Sequence, residues 1–376
     1  MIMIKKVNDN KKGMKDFIGF PYGLYKNDRN WCPPLRVEMK KFFSNKNPFM
    51  RHGRVAYFVA YDGARPVGRV TAHIDELYNR HHNTRHAFFG FYESIENPEV
   101  CEKLMQSAEN WANANKMVSI LGPLNFNTKQ ELGFLIEGFE EPNFLMMTYT
   151  KEYYPDLLYR FGYRKEKELV SFRISNVLKI PEKIARSAKR LSDTYGDSVK
   201  IVTFNRHDLR DDHAFIRDVY NDAWSKNWRF IPITEEEIDN YIKELTQFMY
   251  DEFFYKIYMN GEPAALMLNV PNINEVLIKI RNGRLFPTGI FKLLYNRRRI
   301  KSAIVVIMGV RSKFRKLGLE VLLYHRLFED HLANPRLNCI ETTWILEDNV
   351  PMIKSLQNLN ADLNKRYVIL KKKLRE

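Results

Sequence analysis

The sequence has little cysteine: Cys32, Cys101 and Cys339 are its only three. An odd, widely separated set offers neither a disulfide framework nor the paired spacing of a metal centre, so reduced and mostly buried thiols are expected, with no metal. No run approaches the ~18 to 20 apolar residues of a membrane-spanning helix, and the first residues, with Lys5, Lys6, Lys11 and Lys12, have no apolar signal core. A cytoplasmic protein is expected. The Gly-x-x-x-x-Gly-Lys-Ser/Thr and Gly-x-Gly-x-x-Gly phosphate-binding patterns are missing. So are helix-turn-helix, zinc-finger and RNA-recognition signatures, and no nucleic-acid partner is expected. Low-complexity segments and short-period repeats are absent too.

With 376 residues, 45% of them apolar and 13% aromatic, the chain suits two cores of ordinary size. Its formal charge of +15 points to anionic company, which composition alone leaves open between nucleic acid, a phosphorylated cofactor and an acidic membrane surface, or to a solvated basic face. Cations concentrate at Arg297, Arg298, Arg299 and Lys301, and at Lys371, Lys372, Lys373 and Arg375.

Alternating apolar residues predict a hairpin, Tyr57 to Ala60 and Val67 to Ile74, turning at Asp62 and Gly63. A strand at Ala87 to Tyr92 follows, then a helix opened by Asn97 and Pro98 with Val100, Leu104, Ala108 and Trp111 at helical spacing. Ser119 to Leu121 reads as extended, Tyr153 to Phe161 as a short helix ended by Gly162, and Leu169 to Ile174 as a strand. After a basic helical connector at Pro181 to Tyr195 a similar order recurs. Helices at Asp208 to Trp224 and Glu235 to Phe248 precede a hairpin, Phe253 to Tyr258 and Ala264 to Asn269. Strand Ile304 to Val310, helix Gly318 to His331, strand Asn338 to Leu346, helix Val350 to Leu359 and strand Tyr367 to Leu370 complete the chain. The expected class is α/β, a mixed sheet with flanking helices, duplicated: an N-terminal lobe 1–175, a connector 176–199 and a C-terminal lobe 200–376.

The stretch Ile304 to Leu323 passes from a Val/Ile strand through Arg311, Ser312, Lys313, Phe314, Arg315, Lys316, Leu317 and Gly318 into an apolar helix. A basic, glycine-containing loop before a helix N-terminus presents amides and a positive dipole to phosphate oxygens. The equivalent loop of the first half, Glu93 to Glu99, is acidic and lacks glycine, a poor host for pyrophosphate. The cofactor is therefore expected in the C-terminal lobe, with the N-terminal lobe as one wall of an acceptor cleft.

Val310 to Leu322 resembles the acyl-CoA loop of the GNAT superfamily, Arg/Gln-x-x-Gly-x-Gly/Ala, written here Arg315, Lys316, Leu317, Gly318, Leu319, Glu320, with Glu320 in place of the last small residue. Asn349 matches the GNAT Asn that opens the following short helix and contacts the pantetheine arm or the catalytic region. The Tyr that often acts there as general acid is replaced by Leu356. The whole chain resembles a bacterial group of tandem GNAT-like proteins, some linked to N-acylation of long-chain amino lipids in ceramide formation. Phe20 to Pro34, Asn47-Pro48-Phe49 with His52, Val67-Gly68-Arg69, Phe88 to Glu93, Gly122 to Asn125, Glu137-Gly138-Phe139 and Trp344 to Asn349 carry that resemblance. Tandem GNAT-like lobes, an acyl-CoA or acetyl-CoA co-substrate and N-acyl transfer are what it implies, with Met308, Gly309, Val310, Arg315, Lys316, Leu317, Gly318, Leu319 and Asn349 as cofactor-binding candidates.

Amine acylation needs a base for the ammonium and donors for the oxyanion. The amides near Met308 to Val310 are the expected donors. Glu341 and Glu347, on one side of a single expected strand, and His52 are the candidate bases, set against the commoner reading of such residues as structural or surface groups. No cysteine has a nucleophile's setting, which favours direct transfer. Asn125, Asn127 and Glu131, in the mixed apolar and polar segment Gly122 to Phe139, are acceptor-site candidates, or caps of a loop. Leu285 to Lys301 sets large apolar residues beside four cations, which fits peripheral contact with an anionic membrane or a helix packed by its apolar face. A small-amine acetyltransferase and a catalytically silent GNAT-like binding protein are the competing readings.

Overall fold

The computed structural model describes residues 1–204, 212–245 and 254–374. The expected helix start at Asp208, helix end at Phe248, strand start at Phe253 and the cation Arg375 lie outside the described residues.

The chain runs β1 (Ile2–Lys6), α1 (Lys11–Leu24), α2 (Arg36–Phe42), β2 (Gly53–Asp62), β3 (Arg65–Asp75), α3 (Glu76–His82), β4 (His86–Ser94), α4 (Pro98–Ala114), β5 (Ser119–Gly122), β6 (Phe134–Glu137), α5 (Tyr154–Arg160) and β7 (Arg164–Ile174). It continues through α6 (Glu182–Tyr195), β8 (Val199–Thr203), α7 (His213–Ala223), α8 (Glu235–Leu245), β9 (Phe254–Met259), β10 (Glu262–Pro271), α9 (Asn274–Leu277), α10 (Gly289–Asn296), β11 (Ser302–Val310), α11 (Leu319–Ala333), β12 (Cys339–Thr342), β13 (Ile345–Leu346), α12 (Val350–Gln357) and β14 (Asp362–Lys373). The Asp62-Gly63 hairpin forms as expected, and Asn97 caps α4 by accepting from the Glu99 and Val100 amides.

Two compact units result: Met1–Val170 with Val276–Leu294 and Lys365–Glu376, and Ser171–Glu275 with Tyr295–Asn364. This division departs from boundaries at 175 and 200. Each unit takes its last strand from a distant part of the sequence, which local patterning does not encode. The first unit orders its strands β1-β2-β3-β4-β5-β14, antiparallel except for the parallel β4/β5 pair. The second repeats that order as β8-β9-β10-β11-β12 and the end of β7, with β11/β12 the parallel pair. Residues 276–294 join the first unit because Gly283 O accepts from the Arg36 amide at 2.8 Å and the Arg281 guanidinium reaches the carbonyls of Asp28 and Trp31.

In the first unit the helical spacing of α4 buries Val100, Leu104, Met105 and Ala108 against Ala56, Phe58, Val70, Ala72 and Phe89 of the sheet. A second cluster, Phe17, Phe43, Phe49, Tyr57, Phe91 and Phe126, fixes α1 and the chain beyond α2. In the second unit α11 buries Leu319, Leu322, Leu323, Leu327 and Phe328, and packs on β10, β11 and α6. The expected connector 176–199 is thereby part of this unit: Leu191 of α6 lies against Gly318 and the Tyr195 hydroxyl donates to Leu317 O at 2.9 Å.

One expected element is broken. The strand set at Asn338 to Leu346 ends at Thr342, the last residue paired with β11; the Thr343 amide completes that pairing by donating to Val305 O and its hydroxyl donates to Val306 O, both at 3.1 Å. Glu341 therefore lies in β12, whereas Glu347 sits in the turn after β13, so the two do not share one strand face.

Candidate active site

The second unit opens its sheet at one place. β11 and β12 pair in parallel from Ser302↔Cys339 to Val305↔Thr342 and no farther, while β11 continues to Val310 with β10 beside it. Ile307, Met308, Gly309 and Val310 are half-buried along that edge. The chain then enters the basic loop: Ser312, Lys313, Arg315 and Lys316 are exposed, and Lys316 and Gly318 take positive φ of 68° and 80°. Gly318 precedes α11, whose first turn no side chain caps, so its amides and dipole remain available to an anion. Glu320, half-buried in that turn, opposes an anion. The residues expected at the cofactor thus lie along one continuous edge and loop.

Three neighbours of this loop were not legible in the sequence. Asp222 accepts from the Ser312 amide, the Arg315 guanidinium donates to Ala223 O at 2.6 Å, and the Trp224 ring covers Gly309, where a Cβ would stand 2.3 Å from the ring. All come from the C-terminal end of α7, whose exposed carbonyls attract a cation such as Arg315. Arg315 is thus committed to α7, and Lys316 is the loop's exposed cation next to Gly318. Gly318 tolerates no side chain cheaply, since its φ is left-handed and a Cβ would lie 2.9 Å from Leu191 Cδ1.

Asn349 opens α12 as expected and caps it, accepting from the Met352 amide at 3.3 Å. Leu356 is buried in that helix. A phenol reaches α12 from elsewhere: Tyr324 of α11 sets its hydroxyl 3.7 Å from Met352 Sδ and 3.4 Å from Ser355 Oγ. Burial pushes its pKa up to about 12, so it keeps its proton.

The candidate bases have different surroundings. Glu341 is 0% exposed; its Oε1 accepts from Ser171 Oγ at 3.2 Å and Asn364 Nδ2 at 2.6 Å, and Arg173 lies 3.6 Å from its Oε2. That set ties β12 to the end of β7 and the start of β14. Glu347 is half-buried in the turn leading to Asn349. His52, in the first unit, holds Asp75 Oδ1 at 3.1 Å through Nδ1.

The corresponding place in the first unit is filled. β4 and β5 pair in parallel from His86↔Ser119 to Phe88↔Leu121, after which the chain folds back onto β4. The Leu124 amide donates to Phe89 O at 2.8 Å, and Asn125 Oδ1 accepts from the Phe91 amide at 2.9 Å. Beyond it Glu93 is buried, accepting from the Tyr25 and Tyr154 hydroxyls at 2.8 and 2.7 Å. Of the acceptor-site candidates, Asn125 and Glu131 meet directly, Asn125 Nδ2 donating to Glu131 Oε2 at 3.2 Å, while Asn127 caps its own turn through the Lys129 amide. Burial raises the Glu131 carboxyl to about 7, and burial pushes the Cys32 thiol far up, leaving it no nucleophile.

Among the described residues no group of three His, Cys, Asp or Glu side chains is placed to hold a metal, and no helix is long and apolar enough to cross a membrane.

No family model matches the sequence. Protein YghO of Escherichia coli is 33% identical over 370 residues, covering 97% of this chain and 94% of that one. The bacterial ceramide synthase of Caulobacter vibrioides is 31% identical over 368 residues, covering 96% and 95%. Among solved structures, a tandem GNAT protein from the clavulanic acid biosynthesis pathway superposes with a TM-score of 0.60 at 11% identity, covering 100% of this chain and 99% of that one. At that identity the likeness concerns the fold, a mixed α/β tandem GNAT.

Proposed function

Since the chain belongs to the tandem GNAT-like bacterial N-acyltransferases and is itself an N-acyltransferase, we propose that it transfers an acyl group from acyl-CoA to the amine of a long-chain amino lipid. The observation that carries the CoA part is the free stretch of β11 leading into an uncapped, basic helix N-terminus in the second unit, at the place the first unit fills with Leu124 and Asn125. The lipid acceptor rests on the relative named a ceramide synthase.

In this reading Lys316 and the first amides of α11 hold the pyrophosphate, and Asn349 stands beside the pantetheine arm. Met308 to Val310 supply N–H donors to the oxyanion that forms when the amine attacks the thioester carbonyl. Glu347 takes the ammonium proton; the C–N bond then forms, the C–S bond breaks, and the second amine proton leaves with the CoA thiolate as thiol. Glu341 is a brace between strands, and His52, Asn125, Asn127 and Glu131 shape the acceptor-side unit. The chemistry takes place in the cytoplasm against an anionic membrane, with no metal and no nucleic acid.

Isothermal titration with CoA, acetyl-CoA and palmitoyl-CoA at moderate salt tests this. Palmitoyl-CoA is expected to bind most tightly, and Lys316→Glu to weaken all three about tenfold by reversing one charged contact. Acetyl-CoA binding alone would move the assignment to a small-amine enzyme, and no binding at all to a silent GNAT-like scaffold. For the base, Glu347→Gln is expected to remove the acidic limb of the pH–rate profile while Glu341→Gln retains it; the opposite pattern makes Glu341 the base.

A further inference from the structure

α10 carries Ile290, Phe291, Leu293, Leu294 and Tyr295, and a helix so rich in large apolar residues is normally buried on most sides. α10 is not. Gly289, Ile290, Leu293 and Asn296 face inward, and Phe291, Leu294 and Tyr295, spaced three and four apart, form an outward stripe. Phe291 is 71% exposed, Leu294 54% and Tyr295 64%, and Phe286 in the preceding loop is 75% exposed. Large apolar side chains left this open are costly in water, and four within ten residues mark a surface that is covered in use.

The charges beside them name the cover. Arg281, Arg284 and Lys292 are exposed next to Phe286 and Phe291, and the helix runs directly into an exposed turn of Arg297, Arg298 and Arg299. Arg299 keeps its guanidinium over the Tyr295 ring, 4.1 Å from the centroid, and donates to the Tyr295 hydroxyl at 2.6 Å. From Arg281 to Lys301 the sequence holds no carboxylate at all. A protein partner of mixed charge would leave much of this cationic rim unmatched, whereas an acidic lipid surface offers phosphates to the cations and acyl chains to the rings.

We propose that the segment Leu285 to Lys301 docks the protein on an anionic bilayer, Phe286, Phe291 and Leu294 entering the headgroup boundary and the arginines lying on the phosphates. This goes beyond the acyl-transfer reading and does not depend on it, since it concerns a surface and not the β11 edge.

The test is co-sedimentation of the full chain with phosphatidylcholine vesicles, with and without phosphatidylglycerol. Binding is expected to the anionic vesicles and to fall with salt. Phe286→Ser with Phe291→Ser should lower the partition coefficient tenfold or more, and Arg297→Gln with Arg298→Gln by about 25-fold, at roughly fivefold per cation. Circular dichroism and CoA affinity of both double variants should match the parent, as these residues are exposed and none of them belongs to the candidate site. Absence of binding, equal binding to neutral vesicles, or undiminished binding by both variants overturns the proposal. So does a dimer by light scattering that Phe291→Ser dissociates, which would make a second copy the cover. A chain that binds no CoA but still binds anionic vesicles would sink the acyl-transfer reading and leave this one standing.

Discussion

A single methyl group at position 90 is expected to destabilise the protein by about 3 kcal/mol, the upper end of ordinary overpacking. A Cβ on Gly90 would stand 2.0 Å from Leu124 O and 2.8 Å from its carbonyl carbon. Both are backbone atoms, and the strand they belong to is fastened on either side of the contact, by the Leu124 amide to Phe89 O and by Asn125 Oδ1 to the Phe91 amide. Relief requires the segment to lift from β4, which gives up both hydrogen bonds and loosens Phe126 from its aromatic cluster. Urea unfolding of Gly90→Ala measures this, with Gly23→Ala as control, since nothing lies within 4 Å of a Cβ there. An unchanged midpoint for Gly90→Ala would mean that β4 is open in solution, and that the first unit has a usable cofactor edge after all.

Glu131→Gln is expected to act the other way, stabilising the protein by about 2 kcal/mol at pH 8 and not at all at pH 4. Burial raises this carboxyl to about 7, above its ordinary 4.5, so between those values the folded state holds a proton that the unfolded state has released. Stability therefore falls as pH rises through that window, and above it the whole cost of a desolvated carboxylate is present; the figure is reduced for partial solvent access. Glutamine keeps the contact with Asn125 and removes the charge.

His73 contributes the opposite slope. Burial lowers it from 6.5 to about 3, so it is neutral in the fold, and its share of stability is full above 6.5 and lost as pH falls toward 3. The Asp75 carboxylate pulls the other way, toward the protonated form, without offsetting burial. Between pH 4.5 and 6.5 the His73 and Glu131 slopes cancel in the parent. In Glu131→Gln the histidine is unmasked, and stability should drop by about 1.4 kcal/mol per pH unit below 6.5. Urea unfolding at pH 4, 5.5 and 8 reads both; no gain at pH 8 would show that the Glu131 carboxylate is solvated.

What the sequence revealed of this fold was local. The Asp62-Gly63 turn, the Asn97-Pro98 helix start, the Val/Ile run of β11 and the cap Asn349 each depend on a few neighbouring residues, and each formed where it was expected. The rest depended on distant partners. At the break after Thr342 the Thr343 hydroxyl finds its acceptor on Val306 of β11, and Glu341 is occupied by Ser171, 170 residues away in sequence. Asp222, Ala223 and Trp224 carry no motif; only their place at the end of α7 brings them to the loop. Pro21 inside α1 hid that helix from a pattern reading altogether. In α10 the composition was plain, but which rings stay outside depended on the packing of Ile290 and Leu293.

The borrowed final strands also govern how the polypeptide comes into being. The first unit's sheet ends at β5 until residues 366 to 373 pair with it and with β6, so a ribosome has passed those residues before that edge is closed. Until then β5 offers unpaired amides and carbonyls to any passing strand, a window in which a nascent chain is open to aggregation or to a chaperone. A product ending near the middle of this sequence would lack β14 and leave the β5 edge open.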